Sequence, residues 1–425
     1  MRGLYSFQKG EVMGIVKIIS KILVVMAFSP MLLAHAPMST ATVPAIADLH
    51  LLKQIGASVM VQDPQMNLGY AHLTPQAQNQ LSILAHKAGK CGGYEVVQEA
   101  TTRDLRNVNF SFQFLKQRLT KDYQYSRSPM RVMAIPQRPE ITKAIALAEE
   151  KNLLTWVNWL SAFPNRYNKD ANPNNHVIQL KTQLEKMLGM ARKFGRSGMV
   201  ELIDHKSTQQ KTLHLVLPGS TRPQESVVLG AHLDSISFSG ARAPGTDDNA
   251  SGSSNLIEAL RVLLAQPQAA RTIEFFWYAG EESGLLGSAE IAAAYKEQKR
   301  NVIGVLQLDM TLFPGEGELV IGSMTDFTSA WMREILGDLN RNYLNIKIVE
   351  DKCGYGCSDH ASWYRQGYPT LMPFEATMST MNRNLHTPRD VVSPALSFKH
   401  SLVFTKLAIA LAMELGNNPN LRQPY

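Results

Sequence analysis

What is scarce in this chain narrows it first. Cysteine occurs three times in 425 residues, at Cys91, Cys353 and Cys357. The formal net charge is +7, yet no Lys/Arg-rich block accompanies it, only a modest cluster between Lys116 and Arg131. Without such a block or a nucleic-acid-binding signature, the charge reads as a solubility property and nucleic acid is excluded as a partner. Beyond the first forty positions no apolar stretch reaches about 18 residues, so no membrane span is expected there. Internal repeats are also missing. Present instead is an ordinary globular composition, 44% hydrophobic and 19% charged, in a chain long enough for two domains.

Lys17 and Lys21 precede the apolar run ILVVMAFSPMLLA (22–34), and small residues follow it. That order is the layout of a secretory signal peptide, with a run too short for a comfortable membrane span. Residues 1–41 are therefore expected to be a signal, cut after Ser39-Thr40-Ala41, and the lead before Met13 hints at a later translation start. The mature protein is expected to be exported, extracellular or periplasmic, with no stable membrane association. In an oxidising compartment Cys353 and Cys357 can close the small ring of CGYGC, the alternative being free thiols. Cys91 is left over.

Two sections follow. Residues 42–138 are weakly patterned, with helix-like pieces LTPQAQNQLSILAHKAGK and DLRNVNFSFQFLKQRL and a basic, turn-rich end. Standing between an export signal and a chemically complete section, they read as a propeptide, inhibitor or chaperone, which implies a processing protease. A permanent accessory domain is the alternative. From residue 139 to 425 helical stretches give way to short apolar strands: MVELIDH, TLHLVLPG, ESVVLGAHLD, RTIEFFWYAG, NVIGVLQLDM, ELVIGS and YPTLMPFE. Helices interleave with several of them. The expected fold class is α/β, a mixed, largely parallel central sheet with helices on both faces.

His and carboxylate residues recur at the ends of these strands. His232 and Asp234 follow one strand, Asp247 and Asp248 lie in the turn APGTDDNASG, and Glu281 and Glu282 close YAGEE. Asp309 closes GVLQLDM and His386 lies in NRNLHTPRD. Adjacent carboxylates repel and cost desolvation unless a cation or proton resolves the conflict, so the Glu281–Glu282 pair is either a solvated turn or part of a metal site. His and carboxylates without cysteine suit a catalytic Zn, Mn or Co centre rather than a closed structural zinc. Two ions about 3.5–4 Å apart can share a bridging carboxylate and activate water, and a carboxylate that is not a ligand must then take the proton.

The run HLDS…APGTDDNASG…YAGEESGLLGS…LQLDMT…CGYGCSDHASW…YPTLMPFE…HT resembles the secreted bacterial leucyl aminopeptidase family of di-zinc exopeptidases. The likeness covers about two thirds of the chain, from Pro139 onward, with the motifs in family order. It implies two zinc ions per chain: His232 and Asp309 on one, Glu282 and His386 on the other, Asp247 bridging. Glu281 would be the general base, and Asp234 would orient His232. The Asp247–Asp248 peptide bond is expected in cis. Substrates would be peptides or proteins with a free N-terminus, because an acylated amine cannot coordinate. The first side chain, leucine-like or otherwise apolar, would fill a pocket of Met310, Cys353, Tyr355, Cys357, Met372, Phe374 and Leu385.

Only fourteen residues separate His232 from Asp247, so the pocket rim is expected to differ from that of better-known relatives. Asp359 and His360 look like further ligands, but the resemblance gives them structural work. His176, His205, His214 and His400 belong to no constellation and are expected at the surface or at element ends. The sequon at Asn249 lies in the metal turn and should carry no glycan. Rival readings are a carboxypeptidase or glutaminyl cyclase on the same fold, and a non-catalytic peptidase-like binding protein.

Overall fold

A computed structural model describes residues 42–64, 67–88, 93–97, 134–315, 317 and 319–421. The signal, Cys91, the second helix-like piece of the N-terminal section and the cluster Lys116–Arg131 lie outside them. All described residues fall within one compact unit, Thr40–Tyr425.

The larger sheet runs in the order β12–β9–β7–β8–β6–β5, from strands β5 (Met199–Ile203), β6 (Thr212–Leu217), β7 (Arg222–His232), β8 (Arg271–Tyr278), β9 (Asn301–Gln307) and β12 (Thr370–Leu371). β12, β9, β7 and β8 are parallel neighbours, while β6 and β5 join antiparallel. The expected α/β fold with a mixed sheet is what the chain forms. Alternation along the central strands divides two cores. Val227, Leu229, Ala231, Phe275 and Trp277 face one cluster; Val228, Phe276 and Tyr278 face the other. Side chains of successive strand residues point to opposite faces, so covering both faces requires the continuous apolar runs seen in the sequence.

Helices supply the two covers. On the first face lie α3 (Pro139–Ile145), α4 (Glu150–Ser161), α5 (Asn175–Arg192), α6 (Gly252–Leu264), α8 (Ala330–Leu339) and α10 (Phe398–Asn417). α10 packs on α6, α3 and α4 and is buried along most of its length. Its start is fixed by Ser397, whose hydroxyl accepts from His400 N at 3.1 Å. α7 (Leu286–Glu297) and α9 (His360–Arg365) cover the second face. A small sheet, β11 (Lys347–Asp351), β10 (Val320–Met324) and β13 (Pro373–Phe374), stands beside the main one.

The N-terminal section is folded and is more than helix-like pieces. β1 (Val43–Asp48), β2 (Val59–Asp63), β3 (Leu68–Leu73) and β4 (Tyr94–Val96) form an antiparallel sheet in the order β2–β3–β1–β4. α1 (Leu49–Gln54) and α2 (Pro75–Lys87) accompany it. Thr74 caps α2 by accepting from Ala77 N at 3.2 Å, and Pro75 takes the first helical turn, where its missing N–H costs nothing. Among the described residues no helix is long and apolar enough to cross a membrane.

Candidate metal centre

Three adjacent parallel strands, β9, β7 and β8, end at the same edge of the sheet, and this gathers the site. β7 ends in His232, the turn after β8 carries Glu281 and Glu282, and Asp309 follows β9. The turn leading into α6 brings Asp248, and the loop before α10 brings His386. Placement at the carboxyl ends of parallel strands is where open α/β sheets put their chemistry.

Asp248 lies at the centre. Its Oδ1 is 3.1 Å from His232 Nε2 and its Oδ2 is 3.0 Å from His386 Nε2. His386 Nε2 is also 2.9 Å from Glu282 Oε2, and His232 Nε2 is 3.4 Å from Asp309 Oδ1. His232, Asp248 and Glu282 each offer a ligand atom within 4.8 Å of the others. Thus two histidines and three carboxylates converge, every one buried.

The expectation for Asp247 is corrected here. Its carboxylate turns away from the histidines: Oδ1 accepts from Thr311 N (3.2 Å) and Leu312 N (2.9 Å), and Oδ2 accepts from Asn382 Nδ2 (2.9 Å). Asp248 takes the central place, and the cis peptide bond is Asp248–Asn249, one residue later than expected. A run of two aspartates in one turn gives sequence reasoning no period by which to choose between them.

Asp234 does more than touch its histidine. Its carboxylate accepts from the main-chain N–H groups of Glu281 (3.1 Å) and Glu282 (3.2 Å), fixing the turn that presents both glutamates. His232 Nδ1 lies 3.1 Å from the Asp234 main-chain oxygen and 3.5 Å from Oδ1. Ser358, which the sequence did not single out, donates to Asp309 Oδ2 at 2.6 Å.

Electrostatics show a centre crowded with negative charge. Burial raises Glu281 well above the usual carboxylate range, and the neighbouring Glu282 and Asp309 add to it. Burial likewise pushes Glu282 up to about 7, against the pull of His386. Burial alone would lower His232, but Asp309 and Glu281 outweigh it and hold the imidazole well above its normal value. Asp248, raised by burial, is held well below its usual value by its contacts with His232 and His386. Oε2 of Glu281, Oε1 of Glu282 and Oδ1 of Asp309 are buried and accept no hydrogen bond. Buried, unpaired carboxylate oxygens converging with imidazoles are what a divalent cation would satisfy, and the donor set without thiolate fits zinc in an open catalytic site. The residues present therefore fit the metal that the sequence led us to expect.

The expected pocket residues are also together. Met310, Cys353, Tyr355, Cys357, Met372, Phe374 and Leu385 share one buried apolar cluster, and Cys353 and Cys357 are disulfide-bonded. The same cluster contains Ile46, Val61, Leu68, Tyr70 and Val97 from the N-terminal section. β4 lies along the turn after the glutamates, with Val96 N donating to Gly284 O at 3.2 Å, and Glu95 is ion-paired with Arg365 of α9. The His86 ring of α2 sits 5.7 Å from that of His386. A cleft of about 320 Å³ remains between the sections, lined among others by Gln78, Tyr94, Tyr167 and Phe238, with Glu282 in its wall.

Asp359 and His360 are buried outside this centre. Asp359 accepts from Gln307 Nε2 at 3.0 Å, and burial holds His360 down near 3, uncharged, against Phe327. Of the four histidines expected at the surface or at element ends, His176 and His400 lie in the first turns of α5 and α10 and His205 two residues past β5, while His214 lies within β6; none of the four is on the surface. His176, His214 and His400 are buried, and the His205 side chain is enclosed as well. Each meets a polar partner: Gln210, Glu274, the Glu375 main-chain oxygen and Thr212 respectively. Satisfied core histidines look the same as surface ones in a sequence without an apolar period around them.

Strand order and a buried His/carboxylate centre at the carboxyl edge define the class as a metal-dependent exopeptidase fold. Residues 212–409 match peptidase family M28. The probable leucine aminopeptidase of Trichophyton verrucosum is 37% identical over 289 residues, 66% of this chain and 77% of that relative. Leucine aminopeptidase 1 of Ajellomyces capsulatus is 37% identical over 289 residues, 64% of this chain and 73% of the relative. The LapA aminopeptidase structure of Legionella pneumophila superposes with a TM-score of 0.76 at 26% identity, over 89% of this chain and 99% of that one. Its likeness therefore extends past the section from Pro139 onward and into the N-terminal one. The chain belongs to peptidase family M28, and it is a zinc-dependent aminopeptidase.

Proposed function

We propose that this protein is an exported aminopeptidase that releases leucine-like or other apolar residues from peptides and proteins with a free N-terminus. His232 and Asp309 would hold one zinc ion, Glu282 and His386 the other, and Asp248 would bridge them. The observation that carries this reading is the Asp248 carboxylate, which addresses a different histidine with each oxygen. When bound, the metal would supply Lewis acidity for the scissile carbonyl and for the attacking water.

Glu281 has the position of a general base. Its main-chain N–H is held by Asp234, its Oε2 is buried with no hydrogen bond, and burial raises its proton affinity. It would take a proton from the water and return it to the departing amine. The apolar cluster around Met310, Met372, Phe374 and Leu385 would seat the first side chain, and Tyr355 borders it. The carboxypeptidase reading finds no support in Arg166, the arginine behind the site. It is buried and its N–H groups are spent on main-chain oxygens.

The section from Thr42 to Arg138 would be a propeptide that a processing protease removes after export. Its residues Ile46, Val61, Leu68, Tyr70 and Val97 fill the space beside the pocket that a substrate's first side chain needs. The test compares hydrolysis of an unblocked leucine anilide with that of its N-acetylated form, before and after the section is removed. Activity on the free amine alone supports the reading. Equal activity on both substrates contradicts it.

A further inference from the structure

The turn that presents Asp248 is gripped on both sides by two buried charged residues, Arg166 and Asp390. Arg166, in the loop after α4, is 1% exposed. Its Nε donates to Leu233 O at 2.9 Å, Nη1 to Leu160 O at 3.1 Å and Pro244 O at 2.5 Å, and Nη2 to Gly245 O at 2.9 Å. Among the described residues no carboxylate stands within ion-pair distance of it. Asp390, four residues beyond His386 and also 1% exposed, takes the amide side of the same turn. Its carboxylate accepts from Asp247 N at 3.0 and 3.2 Å and from Asp248 N at 3.1 Å, and its main-chain oxygen accepts from Thr246 N at 3.2 Å.

The two arms do different work. Arg166 ties the residue after His232 to the two residues that open the Asp248 turn, so the loops carrying these two side chains move as one. Asp390 fixes the peptide planes on either side of the Asp247 α-carbon, and hence the direction in which the Asp248 side chain leaves the backbone. Gly245 lies between the arms with φ +50°; a Cβ there would come within 2.4 Å of Asp248 O and 2.8 Å of Arg166 Nη2. Burying a guanidinium without a direct counter-ion is costly unless its donors are all satisfied and opposite charge is near. Main-chain oxygens meet the first condition. The carboxylates of Asp390, Asp234, Asp248 and Glu282 meet the second, opposing the effect of burial, which lowers Arg166 to about 10.

We propose that Arg166 and Asp390 form a charged clamp on the main chain of residues 244–248 and are positioning residues for Asp248 and His232, setting the affinity and geometry of the metal centre. The proposal rests on the reading of Asp248 as a metal ligand. Asp390→Asn keeps the shape but turns an N–H donor toward one of the two amides. Arg166→Lys keeps the charge and loses the fork that spans two loops.

The experiment uses the full chain. Zinc affinity is measured by competition with a chelator, the visible spectrum of the cobalt-substituted protein is recorded, and metal-free melting temperatures are compared. The clamp predicts zinc binding about 10–100-fold weaker in each variant, the loss typical of groups that orient ligands, with a changed cobalt spectrum. A lower melting temperature with zinc affinity within twofold of the parent and an unaltered spectrum would overturn it, leaving ordinary structural residues. Should Asp390→Asn not fold, Arg166→Lys decides alone. Failure of the parent protein itself to bind zinc would instead overturn the metal reading, and the clamp with it.

Discussion

Asp247 and Asp248 are neighbours in one turn, and their carboxylates point to opposite sides of it. Asp248 faces His232 and His386, while Asp247 is bound by the amides of Thr311 and Leu312 and by Asn382. Substitution should therefore separate them. Asp248→Asn is expected to lose bound zinc and turnover together. Asp247→Asn is expected to keep its zinc, weakened by no more than the roughly 10–100-fold typical of supporting groups. Metal content after dialysis, measured beside turnover, checks this; the opposite order would restore the bridging role to Asp247.

The N-terminal section predicts latency. Val61, Leu68 and Tyr70 are buried against the pocket cluster, and burying each such side chain stabilises by roughly 1.5–3 kcal/mol. Cutting the chain is then not enough, because the cover must also leave. With a protease site introduced between Val97 and Ile135, turnover should rise at least about tenfold only after residues 42–97 separate from the remainder, a loss of ground-state occlusion worth about 1.4 kcal/mol or more. Equal turnover by full-length and separated protein would make the section a permanent domain.

The Cys353–Cys357 bridge closes a ring of five residues inside the pocket cluster. So short a ring contributes only about 2 kcal/mol through loop-closure entropy, so its larger effect should be on the pocket wall. Replacing both cysteines by serine is expected to raise KM for an apolar first residue about tenfold or more while costing no more than about 2 kcal/mol of stability. Melting curves and KM measured side by side check the balance.

Far from the centre, Glu274 sits in β8 with His214 Nε2 at 2.8 Å, Tyr295 OH at 2.5 Å and Arg300 Nη2 at 3.0 Å. Burial would raise it, but His214 foremost, with Ser226 and Tyr295, holds it down at about 2. Its folded value lies below its unfolded one, so the unfolded chain binds the extra proton. The contribution is present above about pH 4.5 and lost as pH falls toward about 2, on the order of 3 kcal/mol in all. Glu274→Gln should melt lower than the parent at pH 6, and the gap should close by pH 2. A gap independent of pH would contradict the assignment.

Much of this was legible because short apolar runs marked β5 to β10, β12 and β13 in the sequence, and burial on both faces makes those runs continuous in the central strands. The N-terminal sheet was not legible, since VPAIAD and LGYAHL lack the alternation that marks a half-buried strand. KIVED in β11 is short and mostly polar, and the helical stretch that opens the second section is divided into α3 and α4 by the turn at Ala146–Glu149. At the site, His232, Glu282, Asp309 and His386 stood out because each follows a strand or opens a loop. The choice between Asp247 and Asp248 depends on turn geometry. Arg166 and Asp390 bind only main-chain atoms, so no side-chain pattern announces them.

The central claim is that Glu281 carries the proton in an aminopeptidase whose metal its neighbour Glu282 holds. The most direct measurement is hydrolysis of leucine p-nitroanilide and of its N-acetylated analogue by protein freed of residues before Pro139, parent beside Glu281→Gln, at equal zinc content. The account predicts cleavage of the free amine only, reduced on the order of 100- to 10,000-fold in the variant while zinc stays bound. A variant that retains its activity, or a parent that cleaves the acetylated substrate equally well, would contradict it.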